Sequence, residues 1–382
     1  MGATRRADPE GQVEAAWQRL FEMLAELQRE MESLCEDRPW DRAEGGRYLA
    51  RLLASGLGRF TARPVLSIDY AVPRIGGFNP DYRFGHAALD PRGSYLIRGT
   101  LNDVHRLALG TYRGMLGSSP PVGHVTKDQL QIDARGGFEL WLGDRPPEDP
   151  SSGAGRGWLR KSSETTSLMV RQLLLRPTDR PADLSIERVD GVGRGDPPEW
   201  TERRQRESLD AASLFVAGAA RHFFRWTRAF SRLSNRIDHV PQELEGEVKA
   251  DPDTFYAVGY FDLKEDEWLE VHFMPPPCEY WGLQTTNHWL EPLEDDVLVT
   301  HRNHVTVEPD ADGSVTLAIA AREIARPNVL HTLGHRNGAL FFRVVGAAGG
   351  EVRLPTCRVR KHAGSPGGER PTQAGTRPAR TA

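Results

Sequence analysis

The feature that most constrains this chain is a hydrophobic period that changes more than once along it. From Arg63 to Arg188, and again from Thr254 to Arg360, apolar and polar side chains alternate, as in SYLIRG, GFELWL, DLSIERV, YAVGYFDL and WLEVHF. Successive strand side chains point to opposite faces, so this alternation describes sheets buried on one face. Turn sequences such as DPRG and DARGG separate the runs. Short strands at that spacing, with no helix between them, predict antiparallel sandwiches or barrels. The 38 glycines and 27 prolines among 382 residues supply the turns such an architecture needs.

Ahead of the first block, Val13, Trp17, Leu20, Leu24, Leu27, Met31 and Leu34 form one apolar seam at helical spacing. The seam predicts packing onto the body of the chain, a coiled-coil dimer being its other use. A second helix is predicted over EGGRYLARLLASGL, with Tyr48, Leu49, Leu52 and Leu53 inward. Between the blocks a long amphipathic helix carries Val216, Ala220, Phe223, Trp226, Phe230 and Leu233 on its apolar stripe. Arg221, Arg225, Arg228 and Arg232 repeat at the same spacing. Such a row can grip phosphates, although a solvated face paired with carboxylates is the commoner arrangement.

The predicted organisation is a helical segment over residues 1–60, a first β module over 61–190, a linker over 191–205, a bridging helix over 206–240, a second β module over 250–361 and a disordered tail over 362–382. RPPEDPSSGAGRG reads as a flexible loop, and the ADG after Val307 and the carboxylate-rich DLKEDEWLE read as hairpin turns. The fold class is mainly β with α: two jelly-roll-like, antiparallel β-sandwich modules with an N-terminal helical segment and a long bridging helix. The modules are similar in size, which leaves room for a distant duplication.

A net charge of −4 gives no global field for nucleic acid or acidic lipid. The three cysteines, Cys35, Cys278 and Cys357, are scattered, so neither a disulfide framework nor a cysteine-rich zinc site is expected. The start, MGATRRADPEGQ, lacks an apolar leader, and Arg6 stands where a myristoylation motif wants Ser or Thr. No apolar run approaches the roughly 18 residues of a membrane span. A cytoplasmic protein with neither membrane nor nucleic-acid partners is expected. GxSxG, GxxxxGK[ST] and a Rossmann fingerprint are missing.

In the second block, YFDLKEDEWLEV, MPPPCEYWGLQTTNHWLEPL, the ADG turn, RPNVLHTLGHRNGALFFR and VRLPTCRV follow in that order. Upstream stand DRAEGGRYLARLLASGL, NPDYRF, GSYLIRG and VRQLLL followed by LSIERV. Together these motifs, spanning about residues 40–360, resemble domain-of-unknown-function family 1214 (DUF1214), often found alongside family 1254. The resemblance implies β-rich, jelly-roll-like modules able to form oligomers, and little about chemistry. The chain departs from the family pattern at Phe78 (commonly Asp), Val305 and Thr306 (frequently His and Gln), Val329 (commonly Trp) and His331 (commonly Asp). Such departures would alter a family activity that used those polar residues.

The candidate site follows from residue chemistry. In extended structure Tyr280, Gly282, Gln284 and Thr286 share one face, and Trp281, Leu283, Thr285 and Asn287 the other. One face is core; the other lines a cavity or the surface. Aromatic rings beside amides suit sugars or flat apolar ligands, so Tyr280, Trp281, Gln284 and Asn287 are candidate ligand contacts, joined by Asn303 and Asn328 from the family-like segments. His335 fits the family pattern and is a candidate acid or base. His331 and His335 have a metal-like spacing but need a third ligand, Glu323 or His301, and no metal or cofactor is assigned. Asn79 and Asp81 form a turn signal that can also bind. Arg98 and Arg171 are lone charges in apolar strands, requiring an anionic partner or ligand; Asp81 or Glu187 could serve. Two classes fit: a protein binding or acting on a small neutral, carbohydrate or lipid-like molecule between the modules, or a non-catalytic β-sandwich protein that homo-oligomerises.

Overall fold

The apolar seam of the first segment folds as helix α1 (Pro9–Cys35) and the second segment as α2 (Pro39–Thr61). Both pack on α3 (Glu202–Ser231). The structure, a computed structural model, describes residues 9–35, 38–62, 66–114, 121–147, 156–190, 199–244, 246–247, 253–294, 297–347 and 352–362. The tail, most of the proline-rich loop and most of the linker lie outside the described residues. Leu27 and Met31 of α1, Tyr48 and Leu52 of α2, and Val216 and Ala220 of α3 share one buried cluster. The seam is thus covered by the chain's own helices. The bridging helix, expected over 206–240, runs over 202–231, starting inside the expected linker and ending sooner. The Thr201 side chain caps its start by accepting from the Arg204 N–H at 3.3 Å. Arg232 caps its end, and Asn235, at φ 56°, sits in the turn that follows.

The first module has strands β1 (Tyr82–Ala88), β2 (Tyr95–Thr100), β3 (Arg106–Tyr112), β4 (Gly123–Thr126), β5 (Gly137–Gly143), β6 (Arg156–Arg160), β7 (Ser167–Leu173) and β8 (Asp183–Arg188). They form sheets ordered β1-β7-β3-β4 and β6-β5-β2-β8. After β9 (Arg236–His239), the second module has β10 (Thr254–Asp262), β11 (Glu267–Phe273), β12 (Tyr280–Thr285), β13 (His301–Asn303), β14 (Val315–Ala320), β15 (Val329–His331), β16 (Asn337–Val345) and β17 (Thr356–Lys361). Its sheets run β10-β16-β12-β13 and β15-β14-β11-β17. Adding nine to each strand number of the first module gives the second. The correspondence includes the parallel pairs, β5 with β6 and β14 with β15, which depart from the all-antiparallel expectation. The two modules are therefore topological repeats in a mainly β fold with sandwich-like layers.

Each module buries one face of each sheet in its own core. In the first, Leu107, Leu109, Leu168 and Val170 meet Ile97, Leu140, Leu142 and Ile186. In the second, Trp281, Leu283, Phe342 and Val344 meet Leu269, Val271, Leu317 and Ile319. Two expected hairpins are not hairpins. β10 and β11 lie in different sheets, because Phe261 and Leu269 enter the same core from opposite layers. The segment before the ADG turn forms no strand. Asn328 holds it instead: its Oδ1 accepts from the Glu308 N–H at 2.9 Å and its Nδ2 donates to the Glu308 carbonyl at 2.7 Å.

Candidate functional site: a pocket between the modules

Alternation dictates what the outward faces carry. With Leu168 and Val170 inward, β7 turns Met169 and Arg171 outward, beside Phe84 of β1 and Ala108 of β3. With Phe342 and Val344 inward, β16 turns Phe341, Arg343 and Val345 outward, beside Tyr256 of β10 and Gly282 of β12. These faces, one flank of α3 and the connector around residues 72–79 enclose a pocket of about 440 Å³. That lies within the roughly 300–1,000 Å³ range of small-molecule sites. Its walls are largely apolar: Ile75, Phe78 and Phe84 face Phe223, Trp226 and Phe341.

The connector is built to touch this pocket closely. Gly76 and Gly77 have φ of 64° and 69°, a region where side chains are strained. A Cβ on Gly77 would lie 2.3 Å from the Phe341 ring. Gly77 N–H donates to the Leu290 carbonyl at 2.7 Å, and its own carbonyl accepts from Arg343. Gln284 completes the arrangement, donating to the Phe78 carbonyl at 3.0 Å and accepting from Arg343 through Oε1. Arg343 is 8 % exposed, and its Cζ sits 4.8 Å from the centre of the Phe341 ring. Burial pulls its pKa below the ordinary value, with Tyr256, Tyr280, Tyr82 and Asp81 opposing that shift. Arg171, also buried, donates to the Tyr112 hydroxyl at 2.8 Å.

Below the pocket the modules are clamped together. Tyr280 donates to Asp81 Oδ2 at 2.8 Å and accepts from Asn79 Nδ2 at 3.0 Å. Asn303 Nδ2 donates to Asp81 Oδ1 at 3.0 Å, and His301 Nε2 stands 3.2 Å from the same oxygen. Burial and the adjacent Asp81 charge hold the Tyr280 hydroxyl far above its ordinary pKa, so it stays a donor. Asn79, Asp81, Tyr280 and Asn303 therefore converge, with Gln284 beside them.

Other candidates lie elsewhere. Trp281 is in the second module's core, edge-on to Phe273 at 4.9 Å, where no ligand reaches. Asn328 is the backbone latch described above. Arg98, expected to be buried, has a side chain 47 % exposed and lies between Glu139 and Glu187 at 2.8 and 2.5 Å; the outer sheet face, not the core, holds it. Asn287 and His335 border a second, more polar cleft along α2. There Asn287 donates to Glu291 Oε2 at 3.0 Å. His335 Nε2 lies 3.0 Å from Glu44 Oε1, its Nδ1 lies 2.6 Å from the Thr332 carbonyl, and Trp40 covers the ring. Burial opposes the charged imidazole, but the Glu44 carboxylate and the Thr332 carbonyl together raise its pKa above the ordinary value. Nδ1 thus bonds to the backbone, and Nε2 stands at ion-pair distance from Glu44. Among the described residues no group of three His, Cys, Asp or Glu side chains is placed to hold a metal.

The chain matches no family model and no curated protein. It is similar in structure to an uncharacterized protein from Burkholderia cenocepacia, with a TM-score of 0.82 and 29% identity over 92% of this chain and 98% of that one. The VPA0106 protein from Vibrio parahaemolyticus gives a TM-score of 0.49 and 16% identity over 82% of this chain and 98% of that one.

Sequence reasoning missed Arg343, the connector and α3 as walls of the pocket. Arg343 was findable: ALFFRVV is an apolar run broken by one guanidinium, the same signal that singled out Arg171.

Proposed function

We propose that the chain binds a small, largely apolar, lipid-like molecule in the pocket between its two β modules. The carrying observation is the pocket itself, about 440 Å³ with walls from both modules, α3 and the connector. Phe, Tyr and Trp supply a third of its lining and aliphatic residues and glycines most of the rest, which suits an acyl or flat apolar body better than a sugar, whose hydroxyls need several polar partners. Binding is favoured over acid–base catalysis because His335, the candidate acid or base, borders the other cleft and not this pocket. The assembly reading loses its main sequence support, since the α1 seam is covered by α2 and α3.

The order of motifs from YFDLKEDEWLEV to VRLPTCRV supports placing the chain with family 1214. Three dispersed cysteines, free of disulfides, support a reducing, cytoplasmic location. No helix among the described residues is long and apolar enough to cross a membrane.

Titration with linear alcohols from octanol to tetradecanol tests the pocket. Each buried methylene contributes about 0.8 kcal/mol, so affinity should rise about fourfold per carbon until the pocket is full. Affinity independent of chain length, or no binding at all, would contradict the proposal.

A further inference from the structure

The two arginines of the pocket lead further, on the basis of the binding reading above. Arg171 and Arg343 occupy equivalent places in the repeat. Each is two residues before the end of its strand, Leu173 in β7 and Val345 in β16. Each is flanked by an aromatic residue on one neighbouring strand and a small one on the other, Phe84 and Ala108 or Tyr256 and Gly282. Both are buried and both line the same pocket.

A guanidinium stays protonated and presents five N–H donors. The structure gives Arg343 two acceptors, the Gln284 side-chain oxygen and the Gly77 carbonyl, and Arg171 one, the Tyr112 hydroxyl. All are neutral. Among the described residues neither guanidinium has a carboxylate within 4.0 Å. The nearby carboxylates are engaged elsewhere. Asp81 serves Tyr280 and Asn303, and Glu247 at the pocket wall accepts from Arg225 at 2.7 Å and from Trp226 at 3.3 Å. The Phe341 and Tyr256 rings soften the cost of burying Arg343 but do not neutralise it. Two buried cations with no carboxylate in direct contact, at an apolar cavity, define a complementary guest.

We infer that the pocket takes an amphipathic anion, an apolar body whose carboxylate or phosphate head pairs with Arg343 and Arg171. Calorimetric titration of the full chain with dodecanoate, dodecyl phosphate, dodecanol and methyl dodecanoate, each below its aggregation concentration, tests this. At least one anion should bind about 10- to 100-fold tighter than the alcohol and the ester, as a charge-assisted hydrogen bond provides. Arg343→Met and Arg171→Met, each confirmed folded by circular dichroism, should lose that preference and still bind dodecanol. If Arg343→Met does not fold, Arg171→Met and the wild-type comparison decide. Equal affinity for all four compounds would remove the anionic head and leave the pocket. Binding of none would remove both.

Discussion

The two modules share one strand order and one outward arginine, yet their surroundings differ, and the difference shows what the helices do. Arg171 is supported from within its own sheet, by Tyr112 of β3. Arg343 is supported from outside its module, by the carbonyl of Gly77 in the connector. The turns after the parallel strands repeat the pattern. Thr165 N–H donates to Ser162 after β6, and His335 N–H to Thr332 after β15. Among the described residues, the second of these turns meets a helix, through His335 and Glu44 of α2. The repeated frame is thus asymmetric, because helices and the connector pack on its second half.

The largest effect should come from Gly77→Ala. The residue combines a left-handed backbone, worth roughly 1–2 kcal/mol against a side chain, with a Cβ only 2.3 Å from the Phe341 ring and an overpacking cost of about 1–3 kcal/mol. Urea denaturation should show a loss of about 3 kcal/mol. A loss under about 1 kcal/mol would mean that the connector does not hold Arg343 in place and that the two arginines are equally supported.

A smaller effect should come from the His335–Glu44 contact. The pKa of His335 is raised above its ordinary 6.5 in the folded chain, so its contribution is complete below that pH and is lost as pH rises through the raised value. The pKa of Glu44 is lowered from 4.5 because the His335 and Arg47 charges outweigh burial, so its contribution is lost only as pH falls through the lowered value. The contact therefore counts most between about pH 5 and 6.5. Relative to wild type, His335→Gln should lose about 2 kcal/mol there and progressively less at higher pH. A pH-independent difference would assign the contact to packing and weaken the contrast between the modules.

Much of the frame was legible because alternation is local. Tyr280 and Gln284 face outward and Trp281 and Leu283 inward, as the period of the strand requires. Asp81 and Asn79 were visible as a turn, but their meeting with Tyr280 is 199 and 201 residues distant in sequence, and no local pattern encodes it. Arg98 and Arg171 carried the same signal and took opposite fates, because a lone charge in an apolar run does not say which side of a sheet has carboxylates. The strands flanking Arg98 in its own sheet supply Glu139 and Glu187, whereas the face bearing Arg171 looks into the pocket. The α3 stripe was legible as apolar, but that its Phe223 and Trp226 line a cavity depends on how three units pack.

Gly218 offers the most direct test that this cavity is the binding site. It lies on α3 at the pocket wall, and a Cβ there would meet nothing within 4 Å. Gly218→Leu should leave the fold intact and stabilise the helix by about 0.5–1 kcal/mol. Its side chain would occupy ligand space, so dodecanol affinity should fall at least about tenfold. A folded Gly218→Leu protein that binds dodecanol as tightly as wild type would place the ligand somewhere other than between the modules.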